Sequence, residues 1–93
     1  MDLLSDEEIT SALAGLPRWT RAGDSITLNV ELADFRAAIL YVGAVAYLAE
    51  QANHHPDITV RWNQVTLTLS THSAGGLTSA DTALAGRISA LAS

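Results

Sequence analysis

The sequence predicts an α+β domain: a four-stranded antiparallel sheet with three helices on one face, in the order α-β-β-α-β-β-α. Three observations predict it. Two segments, Trp19 to Leu32 and Asp57 to His72, alternate apolar and polar residues with the period of a half-buried strand, and each contains a turn signal. Between them lies a longer stretch of helical length, opened by Asp34 and stopped ahead of Pro56. Two shorter helical segments flank the hairpins, each introduced by a capping pattern. Both hairpins have one face to bury, and helices gathered on that face are the simplest solution. At 93 residues, 48% hydrophobic and 16% charged, the chain fits a single domain over 1–93.

The elements follow in order. Ser5 and Glu8 form a capping box, Ile9, Leu13 and Leu16 make an apolar stripe, and Gly15-Leu16-Pro17 ends the first helix. In the first hairpin Ala22-Gly23-Asp24 is the turn, after which Ile26, Leu28 and Val30 alternate with Thr27, Asn29 and Glu31. Trp19 is expected to cover the edge of the same core. Asp34 caps the longest helix, from about Phe35 to Asn53, with no charged residue between Arg36 and Glu50. A surface helix of a small monomer carries a polar face opposite its apolar one. This one does not, so its outer side is expected to pack on another subunit.

After Pro56, Ile58, Val60 and Trp62 alternate with Asp57, Thr59 and Arg61, which assigns Trp62 to the core. Asn63-Gln64 allows a turn or bulge. Val65, Leu67 and Leu69 then alternate with Thr66, Thr68, Ser70 and His72, and Ser73 to Gly76 is a loop. Thr78 caps the last helix, where Leu84, Ile88 and Leu91 face inward.

The net charge of −5 and five arginines scattered at 18, 21, 36, 61 and 87 leave no basic patch for phosphate, so no nucleic-acid partner is expected. No apolar run reaches the roughly 20 residues a bilayer span needs, so no membrane partner is expected either. The start, Met1 to Glu8, is acidic where a secretory signal is basic, and a cytoplasmic location is expected. The absence of cysteine removes disulfides, thiolate metal sites and cysteine nucleophiles. The partner should be a small molecule or another protein.

Histidine carries what chemistry remains. Glu50 and His54 stand four apart, on neighbouring turns of one helix face, where a carboxylate would fix an imidazole tautomer. His55 is adjacent and points elsewhere, and two neighbouring histidines are poor ligands for one metal. His72 falls on the polar face of the second hairpin, in register with Ser70. Thr78 and Asp81 fit a capping box with aspartate in place of glutamate. Each feature has a structural explanation when taken alone.

Taken together, Glu50, His54-His55-Pro56, Trp62, His72 and Asp81 stand at spacings that resemble the signature of the pterin-4a-carbinolamine dehydratase family. Leu69-Ser70-Thr71-His72 and the long apolar helix are also similar to that family, and the likeness runs from Ser5 into the last helix. The resemblance implies removal of water from a 4a-hydroxytetrahydropterin to give a quinonoid dihydropterin, recycling the cofactor of aromatic amino-acid hydroxylases. It implies catalytic roles for His54, His55 and His72, with His54 and His72 as the acid/base pair and His55 orienting the pterin. Asn53, Ser70, Thr71 and Ser73 would join the three histidines in lining the substrate site. Glu50 would orient His54, with Trp62 and Asp81 as further supporting residues. No metal or other cofactor is implied, and the subunits of the family join as homodimers or homotetramers. Asn53 departs from the aspartate often found in animal members. Two alternatives stand beside this reading: a non-catalytic assembly factor of the Rubisco-assembly type on the same fold, and a metal-dependent hydrolase using His54, His72 and a carboxylate.

Overall fold

A computed structural model of the chain describes residues 2–91. Helix α1 (Asp6–Ala14) begins at Ser5, whose hydroxyl accepts the Glu8 amide at 3.1 Å while the Glu8 carboxylate accepts the Ser5 amide at 2.8 Å. This reciprocal pair satisfies donors that a helix start otherwise leaves open. Strands β1 (Trp19–Ala22) and β2 (Ser25–Glu31) are joined through Gly23, whose φ of +58° is free of strain only for glycine. Helix α2 (Phe35–Ala52) starts where the Asp34 carboxylate accepts the Ala37 amide at 2.8 Å. Strands β3 (Asp57–Arg61) and β4 (Gln64–Leu69) follow, then a short 3-10 turn at His72–Ala74 and helix α3 (Ser79–Ser89).

The α+β order expected from the sequence is the order observed. The sheet runs β1-β2-β4-β3, antiparallel throughout. One face of its two central strands presents Ile26, Leu28, Val30, Val65, Leu67 and Leu69. These join Ile9 of α1, Ala38, Tyr41, Val45 and Ala49 of α2, and Leu84, Ala85 and Ile88 of α3 in one buried core. Trp19 is buried against it and donates its indole N–H to Ser89 Oγ at 2.8 Å. The opposite face is polar: Thr27, Thr68 and Asp57 form one cross-strand row, and Asn29, Thr66 and Thr59 the next.

Two expectations for the second hairpin are corrected. Trp62 is not a core residue with Ile58 and Val60. Arg61 pairs with Gln64, which leaves Trp62 and Asn63 as a two-residue loop, and Trp62 is 67% exposed with φ +51°. The pleat that alternates side chains stops at Arg61, because Asn63 ties the loop to the end of β2. Its side-chain Nδ2 donates to Leu32 O at 2.9 Å, and its backbone carbonyl accepts the Leu32 amide at 2.8 Å. His72 likewise lies beyond the strand, since β4 ends at Leu69 and the chain tightens into the 3-10 turn.

Helix α2 buries Ala38, Tyr41, Val45 and Ala49, while Phe35, Ile39, Leu40 and Tyr47 are exposed. Among the described residues no helix is long and apolar enough to cross a membrane.

Candidate active site

The site is built where α2 ends. Asn53 adopts the left-handed conformation (φ 49°, ψ 43°), and its amide closes the helix on the carbonyls of Ala49 and Glu50. Asparagine is one of the few side chains that tolerate this geometry, so it serves as the helix stop. The His54 amide also returns to Ala49 O, at 3.1 Å. The backbone has left the helix by this point, and the rule that places residues four apart on one face no longer applies.

Two separate imidazole–carboxylate pairs result. His54 Nε2 lies 2.5 Å from Asp81 Oδ1, and His55 Nε2 lies 2.5 Å from Glu50 Oε2. The expected Glu50–His54 pair is therefore corrected: Glu50 serves His55, and Asp81 serves His54. The two pairs differ in surroundings. The His54 side chain is 15% exposed and Asp81 fully buried, whereas His55 and Glu50 are both largely in solvent. An exposed pair of this kind holds its partners only weakly.

Asp81 fills the capping role expected of it and more. Its Oδ2 accepts the Thr78 amide at 2.9 Å and the Thr71 hydroxyl at 2.7 Å, while Oδ1 faces His54. Thr71 and Thr78 hydroxyls lie 2.8 Å apart. With Oδ2 already accepting two donors, the carboxylate is set to accept the Nε2 proton of His54 through Oδ1. That fixes the tautomer and leaves Nδ1 as the other ring atom. All of these groups are satisfied: no side-chain nitrogen or oxygen buried among the described residues lacks a partner.

The loop after β4 presents the third histidine. Thr71 and Gly76 pair across its base at 2.9 and 3.3 Å, and Gly75, at φ +77°, returns its amide to Thr71 O and His72 O. The loop is thus held by its own backbone, and the exposed His72 ring makes no hydrogen bond or ion pair among the described residues. A hollow of about 280 Å³ lies between this loop and the end of α2, lined by Asn53, His54, His55, Ser70, Thr71, His72 and Ser73. The structure therefore brings together all seven residues expected to line a substrate site. Glu50 and Asp81 stand behind two of the histidines. Trp62 does not line this hollow and stands just beyond the far end of β3, roughly 17 Å along the strand from Asp57. The sequence marks Thr78 only as a helix cap; its contact with Thr71 joins two loops that the sequence gives no reason to connect. Among the described residues no three His, Asp or Glu side chains converge as a metal-ligand set.

The chain is similar to several known proteins along nearly its whole length. A protein 58% identical over 91 residues, covering 98% of this chain and 96% of its own, comes from Nocardia farcinica and is provisionally named pterin-4-alpha-carbinolamine dehydratase. A Thermomicrobium roseum protein with the same provisional name is 48% identical over the full length of both. The crystal structure of a transcriptional coactivator/pterin dehydratase from Brucella melitensis superposes with a TM-score of 0.93 at 32% identity, covering 99% of this chain and 100% of that one. A pterin dehydratase-like protein described as a RuBisCO assembly factor in the alpha-carboxysome gives a TM-score of 0.64 at 24% identity, over 80% and 86% of the two chains, a likeness of fold alone. The family model described as pterin 4 alpha carbinolamine dehydratase matches residues 2–91, and with that span and these relatives the chain belongs to the pterin-4-alpha-carbinolamine dehydratase family.

Proposed function

We propose that the protein is a hydro-lyase that dehydrates 4a-hydroxytetrahydropterin, including 4a-hydroxytetrahydrobiopterin, to the quinonoid dihydropterin, and so recycles the cofactor of aromatic amino-acid hydroxylases. The observation that carries this reading is the convergence of His54 and His72, distant in sequence, on one hollow. The substrate has a hydroxyl on ring carbon C4a beside ring nitrogen N5. Hydroxide leaves poorly, so an acid must protonate it as the C4a–O bond breaks. The N5 electron pair then forms the C4a=N5 bond, and a base removes the N5 proton. The products are water and the quinonoid ring, with no change of oxidation state.

Histidine suits both proton transfers near neutral pH. The pairing with Asp81 suits His54 to the base role, because Nδ1 can take a proton while Asp81 balances the imidazolium. His72, with neither ring nitrogen bonded to a described residue, is suited to deliver the proton to the leaving hydroxyl. His55 orients the pterin. Asn53, Ser70, Thr71 and Ser73 supply hydrogen-bonding groups to its polar edge. The mechanism asks nothing of a metal or another cofactor. Rapid-mixing kinetics with a freshly generated carbinolamine pterin test the reading: the protein is expected to accelerate water loss well above the spontaneous rate. Dehydration no faster with protein than without it would refute the proposal. The assembly-factor alternative gains no specific support, since the likeness to the carboxysome protein extends to fold only.

The exposed apolar side of α2 is assigned to a homodimer or homotetramer contact. Covering a Leu, Ile or Phe side chain contributes about 1.5–3 kcal/mol, and Phe35, Ile39, Leu40 and Tyr47 stand uncovered. Leu40→Glu is expected to lower the sedimentation mass by at least half while the helical circular dichroism persists. A wild-type protein that already sediments as a monomer removes this assignment.

A further inference from the structure

A second hollow, of about 460 Å³, adjoins the histidine-lined one and shares Ser70 and His72 with it. The two are parts of one cleft, with His72 on the common wall. The second part lies over the polar face of the sheet, between the β1–β2 turn and the start of β3. Its walls include Asp24, Ser25, Asp57 and Thr68.

Its electrostatics differ from those of the histidine-lined part. Asp24 and Asp57 make no ion pair or side-chain hydrogen bond among the described residues, and no arginine lines the hollow. Arg21, close to Asp24 in sequence, is turned away: it pairs with Asp6 at 3.0 Å and donates to Gly23 O. The chain contains no lysine. The Asp24 wall is fixed in place, because its carbonyl accepts the Ser70 hydroxyl at 2.8 Å. A Cβ at Gly76 would come within 3.6 Å of Asp24 Oδ1, so the carboxylate lies along the same loop that presents His72.

We propose that this acidic compartment receives the substituent at C6 of the pterin, and that Asp24 and Asp57 select uncharged, hydroxyl-bearing substituents and reject anionic ones. The proposal rests on the dehydratase reading. A bicyclic ring in the smaller hollow, held among the histidines, has its next open volume across His72. Carboxylates there accept hydroxyl protons in strong charge-assisted bonds and repel a phosphate or carboxylate that arrives with no cation to offset it.

The test compares three carbinolamines, with C6 methyl, C6 hydroxymethyl and the phosphate ester of C6 hydroxymethyl. Each is turned over by the wild type and by the double variant Asp24→Asn/Asp57→Asn at low salt. The wild type is expected to favour the hydroxymethyl compound over its phosphate ester by about ten-fold in kcat/KM. The double variant should raise kcat/KM for the ester about five-fold while the methyl compound stays within about two-fold of wild type. Added salt should narrow the wild-type preference. An unchanged ratio of hydroxymethyl to ester in the double variant, with the methyl compound still turned over, overturns the selectivity proposal alone. No turnover of the methyl compound by the wild type overturns the dehydratase reading and this proposal with it.

Discussion

His72→Ala is expected to lower turnover of a carbinolamine pterin by about 100- to 10,000-fold, the range lost when one positioned proton-transfer group is removed. The same change should leave stability within about 0.5 kcal/mol of wild type, because the exposed ring has no hydrogen-bond partner among the described residues and its loop is braced by backbone contacts at Thr71, Gly75 and Gly76. The separation of the two effects makes this variant the cleanest probe of chemistry. His54→Ala should cost turnover on the same scale but also some stability, since it takes one donor from a fully buried carboxylate. The two substitutions combined should lose little more than the worse of them, as expected for groups that serve one transition state. Rapid-mixing rates with denaturant titrations on each variant check all of this. Full turnover in His72→Ala would remove that residue from the mechanism.

Asp81→Ala is expected to be the most damaging single change to the fold, destabilising by about 3–5 kcal/mol in urea titration. One side chain caps α3, accepts from the Thr71 hydroxyl and holds His54, and its removal leaves buried donors without an acceptor. In a chain of this size that is a large part of a typical stability of about 5–15 kcal/mol. Asp81→Asn keeps the shape and one acceptor oxygen. It should cost less, about 1–2 kcal/mol, while still impairing turnover, because the amide NH2 donates to His54 Nε2 and forces the ring proton onto Nδ1, the nitrogen proposed to act as base. An Asp81→Ala variant as resistant to urea as the wild type would show that the buried network contributes nothing net.

Much of this was readable from local pattern. The Ser5–Glu8 and Thr78–Asp81 capping boxes, the Asp34 cap and the strict alternation in β2 and β4 are short-range signals, and short-range physics decided those elements. The errors share one cause: a period was carried past the end of the element that generates it. Helical spacing pairs Glu50 with His54, but Asn53 leaves the helix between them. Strand alternation puts Trp62 with Ile58 and Val60, but the pleat stops at Arg61. The same alternation runs on to His72, but the strand ends at Leu69. Contacts between distant segments, such as His54 with Asp81 and Thr71 with Thr78, have no local signal and are not legible in the sequence. The seven lining residues come from the family-like spacing of the whole set. Periodicity alone would not have gathered them.

The left-handed backbone at Asn53 has a consequence for how this protein tolerates length changes. It sends one imidazole inward and the next outward from consecutive positions. Deleting a single residue among Gln51, Ala52 and Asn53 would advance the sequence by one place through that bend. His54 would then fall at the left-handed position, His55 would take its place beside Asp81, and Pro56 would stand where the imidazole now pairs with Glu50. Homologous chains should accordingly absorb insertions and deletions in the exposed turn at Gly23 far more readily than in these three positions.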